Sequence, residues 1–231
     1  MPRYSVVLVE PKIEGNVGAV ARTMKNFGVD DLVLVNPCSI GLEAVKRAKW
    51  GKEVLDSAKT VQSFDEAIGA ADLIIGSSAV DTQSDKKFAR ISMTPKESAD
   101  KVQDVDGVVA LLFGREDYGL LKEELARCDL LVKIPTNEEY PVMNISHAVA
   151  VILYEMFQSK AAGRGTMETS GEEKELLNQH FVQLLDAIDY PQHKKQRTAV
   201  MFRRIMGRAV PSKWEYHALM GVFTRTLHNL E

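Results

Sequence analysis

Up to about residue 158 the chain alternates between short, uninterrupted apolar runs and stretches whose apolar positions recur every three to four residues. The runs Ser5–Val9, Leu32–Val35, Asp72–Gly76, Val108–Phe113 and Leu130–Ile134 read as strands buried on both faces, since a strand with one wet face would alternate with period two. Between them, Val17, Val20, Ala21, Met24 and Phe27 line one helical face that ends at Gly28. Ser63-x-x-Glu66 and Thr94-Pro95-Lys96-Glu97 are capping-box signatures that open two further helices, the second with proline at its first position. A long apolar helix is expected from about Asn144 to Phe157. This alternation predicts an α/β fold, a mostly parallel sheet with helices on both faces.

The pattern changes at residues 159–171, where Gly163, Gly165 and Gly171 stand among serines and threonines and predict a flexible linker. Three helices are expected beyond it, at about 172–187, 193–208 and 213–229. The last opens with Ser212-x-x-Glu215 and carries Tyr216, Leu219, Met220, Phe223, Leu227 and Leu230 along one side. The organisation read from the pattern is therefore a body (1–158), a linker (159–171) and a helical extension (172–231).

Composition adds little until charge is placed along the chain. The net charge is −3, but from His193 onward eight basic residues face two acidic ones, a local balance of +6 that leaves −9 for the rest. Arg197, Arg204 and Arg208 cluster on one face of the second extension helix, opposite Phe202, Ile205, Met206 and Ala209. Such a face is either an ordinary solvated surface or a contact for a polyanion. No apolar run reaches the roughly 18–20 residues of a membrane span, and the amino end enters a strand pattern where a signal peptide would show an apolar core. Cys38 and Cys128 have no metal or redox spacing. A cytosolic protein with buried free thiols, no metal and no membrane partner is expected.

Ligands of parallel sheets sit at the carboxyl ends of strands, so the loops there carry the candidate chemistry. The first, residues 10–18, has neither a dinucleotide nor a P-loop glycine pattern. Asn16 in it either caps the following helix or serves a site. Gly15, Gly18 and Arg22 align at i, i+3 and i+7, which lets a backbone or a ligand approach beside one guanidinium. The second loop, Phe113-Gly-Arg-Glu-Asp-Tyr-Gly119, brackets a charged turn with glycines directly after the most apolar strand. The third, residues 134–147, is long, polar and bounded by prolines before the helix that Asn144 would cap.

Together and in this order, the three segments resemble the SpoU/TrmH branch of the SPOUT methyltransferases. The resemblance rests on Asn16-Val-Gly18-Ala-Val-Ala21-Arg22, on Phe113-Gly114-Arg115-Glu116 through Gly119, and on Ile134-Pro135 with Asn144-Ile-Ser146-His-Ala-Val. Val7-Leu-Val-Glu10, Leu34-Val-Asn-Pro37 and Asn137-Glu-Glu-Tyr140 are similar to the subgroup that methylates a ribose in the tRNA anticodon loop. The likeness covers about residues 4–158. It implies a carboxyl-terminal trefoil knot, a homodimer, S-adenosylmethionine as cofactor and tRNA as substrate, with cytidine or uridine 32 favoured. Ribosomal RNA as substrate and a catalytically silent RNA-binding member are the alternatives.

Carried over by position, the resemblance places the cofactor at Ser77, Ser78, Ala79, Gly114, Ile134, Pro141, Val142 and Met143. It makes Arg22 the catalytic residue, with Asn16 fixing the arginine's orientation. Glu116, Asn144 and Ser146 are expected to order loops, and Arg115, Tyr140, Arg197, Arg204 and Arg208 to meet RNA. Tyr140 either stacks on a base or packs at a loop end. The extension is expected to bind tRNA and not the cofactor. Val142-Met143 stands where the family usually has Ser-Leu, and Glu138 where the subgroup usually has proline.

Overall fold

A computed structural model describes residues 2–79, 92–159, 170–209 and 211–230. Six strands form one sheet: β1 (Arg3–Val9), β2 (Asp31–Val35), β3 (Lys59–Val61), β4 (Leu73–Ser77), β5 (Val108–Phe113) and β6 (Leu130–Val132). Their order is β3-β2-β1-β5-β4-β6, and every pairing is parallel. With all strands pointing one way, the segments that follow β1, β4, β5 and β6 emerge from the same edge. The register aligns them there, since Leu8 pairs with Phe113 and Gly76 with both Leu112 and Leu131.

The continuous apolar strands are buried on two sides, as their composition requires. Val6 and Leu8 of β1 enter one core cluster, Val7 and Val9 the other. The first face is covered by α1 (Glu14–Asn26), α5 (Pro95–Val102) and α7 (Ile145–Ser159), together with α2 (Leu42–Ala48) and α3 (Lys52–Asp56). The second lies under α4 (Phe64–Ile68) and α6 (Lys122–Ala126). Helices α2, α3 and α6, the 3-10 turn Lys49–Gly51 and strand β3 fall where the pattern predicts no element. Each is too short for its period to repeat more than once or twice, so its existence depends on packing. The Thr94/Glu97 box forms completely, with Glu97 N–H donating to Thr94 Oγ1 and Thr94 N–H to Glu97 Oε2.

The extension folds as α8 (Gly171–Ala187), α9 (Gln192–Ala209) and α10 (Lys213–Leu230), within a residue or two of the expected bounds. Their shared core is aromatic: Phe181 stacks on Phe202 with ring centroids 4.0 Å apart, and Tyr216 and Phe223 are buried beside them. Ile205 and Ala209, expected on that apolar side of α9, remain exposed.

Most of the linker expected at 159–171 lies outside the described residues, but its ends do not. Ser159 closes α7, while Ser170 caps α8 and Gly171 is already helical. Gly171 N–H donates to Asp72 Oδ1, and a Cβ there would collide with the Ala71 carbonyl oxygen. One turn on, the Lys174 ammonium meets Asp129 at 3.2 Å, both side chains being buried. Asp129 also accepts from the Ile74 N–H. The first turn of α8 is thus fastened to the edge of the sheet, which the glycine- and serine-rich composition did not foretell. Neither cysteine is in a disulfide; Cys128 is buried, whereas Cys38 is only half-buried.

Candidate functional site

The three loops meet through one hydrogen-bonded joint. Asn16, buried in the first turn of α1, donates from Nδ2 to Glu116 Oε1 at 3.0 Å and accepts at Oδ1 from Asn144 Nδ2 at 3.1 Å. Glu116 also accepts from the backbone N–H groups of Lys12 and Ile13 at 3.0 and 3.2 Å. Asn144 Oδ1 accepts from Ser146 twice, from N–H and from Oγ–H. Two amides and one carboxylate therefore pin the loops after β1, β5 and β6 to each other. Burial would raise the Glu116 carboxyl, but the hydrogen bonds from Lys12, Asn16 and Ile13 hold it below its ordinary 4.5.

This joint corrects the expected role of Asn16. Its amide meets Glu116 and Asn144 and makes no hydrogen bond to Arg22 among the described residues, and the helix-capping alternative fails: the cap position is Ile13. Glu116 orders the loop after β1, across the sheet edge from its own turn. The glycines beside Arg22 serve backbone approach: a Cβ on Gly18 would overlap the Ala44 carbonyl of α2, and one on Gly15 would press on the Arg47 side chain. Arg22 itself is exposed on α1 and makes no hydrogen bond or ion pair among the described residues.

Arg115 is a second correction. Its side chain is only 3% exposed; it forms a two-pronged pair with Glu124 (2.8 and 3.0 Å) and a 2.8 Å bond to Glu10. The hydrogen bond to Glu10, then the one to Glu124, raise its proton affinity further above the usual arginine range. A guanidinium enclosed by two carboxylates is unavailable to RNA; it closes the turn that Gly114 and Gly119 permit. Gly119 sits at φ +71°, and a Cβ on Gly114 would strike the returning backbone at Gly119 and Leu120. Glu10 and Glu124 are partners of Arg115 that sequence reading missed, because neither spacing nor pattern links them to it.

Beside the joint opens a cleft of about 910 Å³ at the carboxyl ends of β4, β5 and β6. Ser77, Ser78, Ala79, Gly114, Ile134, Pro141, Val142 and Met143 all line it. Its third loop is held by Thr136 Oγ1 on the Pro141 carbonyl and by an Asn137 turn, and it leaves Tyr140 80% exposed. Small side chains at 77–79 and 114 with aliphatic ones at 134, 142 and 143 suit a flat, partly apolar ligand of several hundred Å³. Arg22 does not belong to this wall. Arg204 and Arg208 do, with Gln196 and Val200 of α9, so the extension borders the same cleft as the segments expected to hold the cofactor. Gly207 allows the approach, since a Cβ there would meet the Asp129 backbone. Arg197 remains exposed on the outer side of α9.

A family model described as the SpoU rRNA Methylase family matches residues 3–154. The tRNA (cytidine-2'-O-)-methyltransferase TrmJ of Methanocaldococcus jannaschii is 46% identical over 95% of this chain and 97% of its own. The tRNA (cytidine/uridine/adenosine-2'-O-)-methyltransferase TrmJ of Pseudomonas aeruginosa is 34% identical over 98% and 94%. Among solved structures, TrmJ from Z. mobilis ZM4 superposes with a TM-score of 0.75 at 26% identity, covering 96% of this chain and 98% of that one.

Proposed function

Because the chain belongs to the SpoU rRNA methylase family, we propose that it transfers a methyl group from S-adenosylmethionine to a ribose 2′-hydroxyl of tRNA, at cytidine or uridine 32 of the anticodon loop. The observation that carries this reading is the Asn16–Glu116–Asn144 joint, which holds three sheet-edge loops together at the mouth of a cleft. The residues at 77–79, 114, 134 and 141–143 would hold the cofactor, which when bound supplies an electrophilic sulfonium methyl and a neutral leaving group.

What the chain must add is orientation of the hydroxyl and stabilisation of charge as its proton leaves. A guanidinium does not deprotonate at neutral pH, so Arg22 is no base. It grips the adjoining phosphate and stabilises the developing alkoxide on the 2′-oxygen, while a phosphate oxygen or water takes the proton. Arg22 lies outside the wall of its own cleft, which supports a homodimer in which the arginine of one protomer serves the cleft of the other. The apolar side of α7 contributes less to that dimer than its sequence promises. Val149, Ile152, Leu153 and Met156 are already buried within the protomer, leaving Tyr154 and Phe157, with half-buried Phe27, as the aromatic group to be covered. The family's knot would be tied where residues 133–144 pass from β6 to α7. A cytoplasmic setting agrees with the substrate.

Unmodified tRNA incubated with the protein and cofactor should acquire a single 2′-O-methyl group, mapped to nucleotide 32. Absence of any ribose methylation, with cofactor still bound, would convert the reading to a silent RNA-binding member. Methylation of ribosomal RNA alone would move the substrate.

A further inference from the structure

We propose that Trp50 is a stacking platform for an unpaired base of the RNA substrate, presented by the turn that joins α2 to α3 and packs on the helix turn carrying Arg22. This rests on the RNA methyltransferase reading and adds a substrate-positioning residue to it. Trp50 is 91% exposed, the most exposed of the large apolar side chains among the described residues. Leaving an indole in water gives up the burial that normally decides where tryptophan sits, so the exposure calls for an occupant.

The backbone holds it there. Lys49, just before it, adopts φ +50°, a left-handed conformation that a lysine rarely takes and that costs on its own account. Gly51, just after it, is buried: a Cβ there would lie 2.5 Å from the Ala21 carbonyl oxygen and 2.6 Å from the Arg22 Cα. Only glycine allows that approach, and it locks Trp50 one residue from the point where the turn touches Arg22.

The surroundings choose the occupant. Neighbouring charges largely cancel, with Lys52 paired to Asp56, Lys25 to Glu53 and Arg47 to Glu43. Lys46, Lys49 and Arg22 are exposed and make no ion pair among the described residues. Exposed cations at 46 and 49 on the segment that presents this bare indole, and at 22 on the helix turn packed against it, match a nucleic-acid strand, whose phosphates meet the cations and whose base meets the ring. A protein–protein contact would instead ring a central tryptophan with apolar neighbours and deplete charge there. The methylated ribose must lie against Arg22, so the base meeting Trp50 belongs to that nucleotide or one next to it.

The test uses the full chain with Trp214→Phe, which leaves Trp50 as the single tryptophan of the two in the sequence. Trp214 is 77% exposed on α10 and has no part in the proposed site. Titration with unmodified tRNA should quench the Trp50 emission to saturation. In the natural background, Trp50→Ala should raise KM for tRNA about ten-fold or more, with kcat and S-adenosylhomocysteine binding little changed, and Trp50→Phe should recover most of the loss. Unchanged emission at saturating tRNA in a chain that still methylates overturns the inference. So does a blue shift that grows with protein concentration without RNA, which would assign Trp50 to a contact between copies. A parental chain that methylates no tRNA overturns instead the functional reading beneath it.

Discussion

Two arginines that look alike in the sequence have opposite fates, and burial separates them. Arg22 is exposed and unpaired among the described residues, the state in which a guanidinium can receive a phosphate. Arg22→Ala should abolish methyl transfer while S-adenosylhomocysteine affinity, measured by calorimetry, changes no more than a few-fold. Turnover near normal would remove it from the chemistry. Arg115 is enclosed, with Glu124 beside it only 10% exposed. Arg115→Ala strands that carboxylate in the interior and should cost about 3 kcal/mol in urea denaturation. Truncating its other partner, Glu10→Ala, should cost far less, because Arg115 keeps both bonds to Glu124 and water can take the place of a carboxylate that is 43% exposed.

Among the elements, α8 determines how the extension meets the body. Its first turn is fixed by Gly171 on Asp72 and Ala71 and by Lys174 on Asp129, so the whole three-helix unit is registered against the edge of the sheet. Gly171→Ala forces the helix away from the Ala71 carbonyl. Limited proteolysis should then release a fragment of residues 1–159 intact at protease levels that leave the parent whole. Equal resistance of the two proteins would mean that α8 absorbs the methyl group by a small shift.

For the whole molecule, charge and assembly set the expectations. The basic extension places Arg204 and Arg208 in the wall of the cleft and Arg197 outside it, so RNA gripped by α9 would lie beside the segments proposed to hold the cofactor. Replacing all three arginines by alanine should weaken tRNA binding and reduce the slope of log affinity against log salt by roughly two to three. An unchanged slope would make the face an ordinary solvated one. Mixing an Arg22→Ala protomer with one whose cleft is blocked at Val142→Trp, a half-exposed position of its wall, should restore part of the activity that each lacks alone, as a site shared between protomers requires. No recovery from co-folded subunits would place each arginine with its own cleft.

The sequence alone determined whatever depends on local periodicity. Unbroken apolar runs gave strands buried on both faces, Thr94/Glu97 and Ser212/Glu215 gave helix starts, and the i, i+3, i+4 stripe of α10 gave what that helix adds to the extension's core from Tyr216 to Phe223, although Leu230 at its end stays exposed. It also brought out the three loops, because glycine, proline and charge at strand ends leave a compositional mark. Pairings across long separations were left to the tertiary structure. Asn16 meets Glu116 and Asn144 across 100 and 128 residues, Arg115 meets Glu10 across 105, and Lys174 meets Asp129 across 45. No local signal encodes such contacts. They arise because parallel strands deliver distant loops to one edge, where buried polar groups must find partners or pay the cost of desolvation.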